Sequence, residues 1–147
     1  MLKVPRLETI VSRLETIVWR PPMDSNDKQE LIKYFNTQIG WCKILMIALK
    51  DCNNTVIDAF KECKWYNDEY MFEFSLIVGR FDIAQEYYDK LINDKNIIMF
   101  SVIFVPDVNK VIIEVKKNNF FHLKAISQER IKCDLKELET FINSLHD

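Results

Sequence analysis

Between Asn96 and Ile126 the chain carries three apolar runs separated by turn-forming residues. The first, Ile97 to Val105, is broken only by Ser101. Pro106, Asp107 and Asn109 follow, then the β-branched run Val111 to Val115. Lys116-Lys117-Asn118-Asn119 turns the chain again, and Phe120 to Ile126 is the third run. β-branched and aromatic residues suit a pleated, half-buried surface, while Pro, Asp and Asn suit tight connections. The stretch predicts a three-stranded antiparallel meander. It limits the chain to folds in which helices cover such a sheet.

Alternation assigns the faces. Both sides of the first run are apolar, which places that strand centrally. In the second, Val111, Ile113 and Val115 share one side, and Glu114 and Lys116 the other. In the third, Phe121, Leu123 and Ala125 are expected to point inward, leaving Phe120, His122 and Lys124 on an open face.

Upstream, Leu31, Phe35, Ile39, Cys42, Met46 and Leu49 recur at helical spacing and predict one long helix over 27–50. Gly40 falls inside it, at a cost of about 1 kcal/mol against Ala, and is expected to mark a close backbone approach. Residues 55–65 fit two patterns. Thr55 with Asp58 resembles a helix capping box, but Ile57, Ala59, Cys63 and Trp65 alternate as in a strand. The strand is the reading adopted. Phe72, Phe74, Leu76 and Val78 alternate with Glu73 and Ser75, predicting another strand over 70–78. Ala84, Tyr87, Tyr88, Leu91 and Ile92 predict a helix over 81–93, and Leu135, Leu138, Phe141, Ile142 and Leu145 a last one. The expected class is α+β, in the order α-β-β-α-β-β-β-α. Its antiparallel sheet has about five strands, ends in the C-terminal meander, and carries its helices mainly on one face.

Residues 1–22 stand apart. Arg-Leu-Glu-Thr-Ile-Val occurs at Arg6–Val11 and again at Arg13–Val18. On a helix these heptads form one apolar stripe, but two heptads are marginal alone. Arg20-Pro21-Pro22 stops any helix, and Met23 follows. We read 1–22 as a leader or arm outside the domain: the reading adopted is a non-native or upstream-translated leader with initiation at Met23, and the alternative is a partner-binding amphipathic arm. Residues 23–147 are read as a single α+β domain.

Composition narrows the function classes. With 48% apolar residues the chain can bury a core. Net charge is −2 with both signs interspersed, which offers no long-range attraction to nucleic acid or to an anionic membrane. Cys42, Cys52, Cys63 and Cys133 are widely spaced, with no close pair for zinc or redox chemistry, and no secretory signal pattern precedes them. Reduced thiols in a cytoplasmic protein are the expectation. With only Gly40 and Gly79, the chain has no glycine-rich phosphate loop. No motif calls for a cofactor or a metal. His122 could serve as a base beside Cys133, or Asp68, Glu69 and Glu73 could act as paired carboxylates, but nothing local orients either set. A small Cys/His or carboxylate-dependent enzyme is therefore the minor alternative.

A protein-binding module fits better. Its expected contact residues are the aromatic, acidic group Trp65, Tyr66, Asp68, Glu69, Tyr70 and Glu73, with Phe120, His122 and Lys124 from the third meander strand. The wealth of Asn, Lys and Ile fits an AT-rich coding sequence of a phage, mobile element or low-GC bacterium. An antagonist or immunity-type inhibitor, covering the functional surface of a basic partner protein, is the leading expectation. In its order of elements the chain also resembles the small acidic dimeric chaperones of type III secretion, with Leu31-Ile32-Lys33-Tyr34-Phe35 near the start and Leu135-Lys136-Glu137-Leu138-Glu139 near the end. That resemblance implies a homodimeric binding protein. The long first helix and the third meander strand depart from it.

Overall fold

The computed structural model describes residues 25–146. The repeat at 6–19, and with it the reading of 1–22 as a leader, lies outside the described residues. The chain divides after Asn67 into two compact units. The described residues hold six α-helices and a three-stranded antiparallel sheet, so the class is α+β. The sheet has three strands, not five.

The first unit is helical: α1 (Ser25–Thr37), α2 (Trp41–Asp51) and α3 (Asn54–Lys61). The long helix expected over 27–50 is broken at Gln38–Gly40, where Ile39 is 97% exposed. A Cβ on Gly40 would approach only the Tyr34 hydroxyl, at 4.0 Å, so the glycine interrupts the helix without admitting another backbone. Residues 55–65, expected as a strand, are mostly helix. Asn53 caps α3, its Oδ1 accepting from the Val56 amide at 3.3 Å. Phe60 is the centre of the unit. Trp41 stacks on it at 5.1 Å, and Phe35 and Tyr66 meet it edge-on at 5.4 and 5.8 Å.

The second unit opens with α4 (Asp68–Val78) and α5 (Phe81–Ile92). The strand expected over 70–78 is thus a helix. Every residue from Met71 to Ile77 is buried, and a helix buried on all sides has no stripe for periodicity to detect. Asp68 and Glu69 in its first turn complement the helix dipole. Gly79 joins the two helices at φ +81°, where a Cβ would lie 2.8 Å from the Cβ of Cys133. The meander follows as β1 (Ile97–Val105), β2 (Lys110–Lys117) and β3 (Phe120–Ile126), and α6 (Leu135–Ser144) ends the unit. Asn109 and Asn118 take positive φ at the two turns, a conformation asparagine tolerates.

Strand order is β1-β2-β3, so β2 and not β1 is central. The β2 alternation is as expected, with Val111, Ile113 and Val115 buried. In β1, Val102 is fully buried while Met99 and Ile103 are 38% and 43% exposed, so that strand is covered on one face only. Ile98 is an extra residue at a bulge in the β1–β2 register. Phe100 receives Phe72 of α4 edge-on at 5.4 Å and Tyr88 of α5 at 5.8 Å. α6 packs against β1, where His146 Nε2–H donates to the Val102 carbonyl at 2.8 Å. The element order is therefore five helices, three strands and one helix. The alternation on which the likeness to secretion chaperones rested is not present.

Candidate functional site

The expected contact residues fall into three settings. Trp65 and Tyr66 follow α3 in the first unit. Trp65 is half-exposed with the Lys64 ammonium 4.9 Å from its ring centroid, and Tyr66 is packed on Phe60. Asp68, Glu69, Tyr70 and Glu73 lie on α4. Phe120, His122 and Lys124 lie on β3.

The structure brings the α4 and β3 groups together, facing each other. Glu69 and Glu73 are one helical turn apart, roughly 6 Å along the axis. His122 and Lys124 are two residues apart on one strand face, roughly 6.8 Å. The two spacings match closely enough for α4 to run alongside β3 and pair in step. Glu69 Oε1 meets His122 Nε2 at 3.0 Å, and its other oxygen meets Lys117 Nζ at 2.7 Å. Glu73 meets Lys124 Nζ at 2.5 Å and the Arg130 guanidinium at 3.0 Å. The Lys124 ammonium also lies 5.3 Å from the ring centroid of Tyr70, which stacks on Phe74. The Glu73 side chain is only 3% exposed, so its two cations provide the compensation that a buried carboxylate requires.

This pairing fixes which way β3 faces, and it reverses the expectation. His122 shares a face with Val115, and Lys124 with Ile113, toward α4. Phe121, Leu123 and Ala125, expected inward, point to the opposite side, where Phe121 is 53% and Leu123 55% exposed. Phe120, at the hairpin end, is 60% exposed and lies beside the His122 ring at 5.4 Å.

The open face of the sheet can be read row by row from the register. Met99, Lys116 and Phe121 form one row, Ser101, Glu114 and Leu123 the next, and Ile103, Ile112 and Ala125 the third. Exposed apolar side chains thus surround a central Glu114–Lys116 pair of opposite sign. Sequence reasoning assigned Phe121 and Leu123 to the core and missed this face. The signal was available only by recognising α4 as a helix whose Glu69 and Glu73 demand cations from the strand beneath.

The chemistry of the remaining polar groups is restrained. Cys133 donates to the Leu76 carbonyl at 3.5 Å, and burial pushes its thiol above the usual range, which keeps it protonated and weakly nucleophilic. Burial likewise raises the Cys63 thiol. The Arg80 guanidinium grips Asp82 and holds that carboxyl below its usual range. A shallow depression beside the stacked pair Phe81–Phe141 includes Glu137 but gathers no set of groups poised for catalysis. Among the described residues, no group of three or more His, Cys, Asp or Glu could hold a metal ion, and no helix is long and apolar enough to cross a membrane. Comparison with models of protein families, with curated proteins and with solved structures finds no match for the chain.

Proposed function

We propose that this chain is a non-enzymatic protein-binding module and that the open face of its sheet is the contact surface. One observation carries the reading: β3 turns His122 and Lys124 toward a helix and Phe121 and Leu123 outward. Scattered apolar side chains on a surface need no explanation, but several gathered on one face of a sheet do. Phe121, Leu123, Met99 and Ile103 supply such a cluster. Apolar cores and aromatic anchors are what protein contacts are made of.

The contact is apolar rather than acidic. Glu69 is engaged by Lys117 and Glu73 by Lys124 and Arg130, all of their own unit, so a partner need not be basic to be recognised here. An antagonist that covers a partner's functional surface fits this arrangement, because a small rigid sheet presents its side chains without ordering costs. The experiment is site-specific photo-crosslinking in the native host, with a photoreactive residue in place of Phe121 and, as control, in place of the exposed Glu86 on α5. One discrete protein adduct at 121 and none at 86 is expected. Equal, heterogeneous labelling at both positions would overturn the reading.

A further inference from the structure

The open face carries its own complement. Glu114 and Lys116 sit on the central strand, two residues apart and on the same side, with an apolar residue beyond each on β3. We propose that a second copy of the chain docks on this face, sheet against sheet, and that any other partner competes with it. The inference rests on the reading of this face as a protein contact.

Charge selects the geometry. Two sheets stacked by a two-fold axis have three simple arrangements. An axis parallel to β2 sets Glu114 over Glu114 and Lys116 over Lys116. An axis across the strands at Glu114 also superposes like charges. An axis across the strands at Val115 runs the two β2 strands antiparallel, and each Glu114 then faces the other copy's Lys116. The same operation sets Phe121 over the other copy's Leu123, and Met99 over its Ser101, following the row order of the register. The contact is isologous, so each favourable pair occurs twice.

Size sets the strength. Two rows of three strands, with the margins that twist brings in, remove roughly 800 Å2 from water over both copies, below the range of stable complexes. The dimer is therefore weak and exchanging, as a face that must yield to a heterologous partner requires.

The test is sedimentation velocity on the full chain from about 10 μM to about 1 mM, a span that brackets weak association. Wild type should sediment as a concentration-dependent monomer–dimer mixture. Glu114→Lys places two lysines opposite each other at both symmetry-related points, and Lys116→Glu places two glutamates there. Each variant alone should dimerise at least about tenfold more weakly. Mixed together they should form the heterodimer, and the double exchange Glu114→Lys with Lys116→Glu should restore wild-type association. Circular dichroism establishes that each variant is folded. A wild type that stays monomeric throughout, or single variants that associate as wild type does, would overturn the proposal. Crosslinking at position 121 separates the two claims: a foreign adduct with a monomeric wild type removes the second copy but keeps the face as a contact.

Discussion

The two faces of the sheet are built from the same strands and obey opposite rules. On the covered face, Val111, Ile113 and Val115 are buried beside His122 and Lys124, whose side-chain nitrogens meet Glu69 and Glu73. On the open face, Phe121, Leu123, Met99 and Ile103 remain half-exposed around Glu114 and Lys116. A one-residue slip of β3 would exchange its two sides. Burying the exposed halves of Phe121 and Leu123 would contribute roughly 1–2 kcal/mol each. Leaving Glu73 buried without its Lys124 cation would cost several kcal/mol, on the order of 3–5 kcal/mol before allowing for the remaining Arg130 contact. The two effects are of the same order, and a slip would also break the Glu69–His122 contact, so the carboxylates of α4 weigh against the hydrophobic pattern of β3 itself.

The contrast can be broken most forcefully at Phe72. It is fully buried and meets both Phe100 and Tyr88 over the covered face. Phe72→Ala should lower the unfolding free energy by about 3–5 kcal/mol, read from the urea midpoint at constant slope. A loss under 1 kcal/mol would mean that α4 does not cover the sheet as described.

Charge offers the next comparison. Glu73→Gln removes a buried carboxylate from two cations that are 40% and 44% exposed and can recover hydration. The expected loss is about 2–4 kcal/mol. Glu114→Gln, on the open face, should change stability by less than about 0.5 kcal/mol in the monomer. Equal effects at the two positions would erase the distinction between the faces. A cycle of Glu73→Gln with Lys124→Met should return a coupling of about 1–3 kcal/mol, since both partners share one network.

The meander was legible because its information is local. β-branched runs alternate with Asn109 and Asn118, which the turns hold at positive φ. The helices at 81–92 and 135–144 were legible because each has one buried stripe: Ala84, Tyr87 and Leu91 in α5, Leu138 and Ile142 in α6. α4 was not legible, because seven consecutive buried residues have no period of their own and the chance alternation of Phe72, Phe74 and Leu76 imitates a strand. That single misreading propagated. As a strand, 70–78 would place Glu73 on a solvated face, and nothing would draw His122 and Lys124 inward. The candidate site suffered accordingly: the residues chosen on α4 and β3 do come together, but as partners of one another. The apolar face they release depends on a helix–strand pairing separated by some fifty positions, which no local window contains.

A substitution with a far smaller expected effect than those at Phe72 and Glu73 bears most directly on function. Leu123 is 55% exposed beside Glu114 and lies two residues from Phe121. Threonine keeps a β-branched shape that suits the strand and adds a hydroxyl that open solvent can satisfy. Leu123→Thr should therefore cost only about 0.5–1 kcal/mol of stability, the share of the side chain already removed from water. The same change removes an apolar anchor from the centre of the proposed contact, where Leu123 would lie under the other copy's Phe121. Association should weaken well beyond the change in folding, read by sedimentation on protein that circular dichroism shows to be folded. If stability instead falls as far as in Phe72→Ala, Leu123 belongs to the core and β3 faces the way its alternation first predicted.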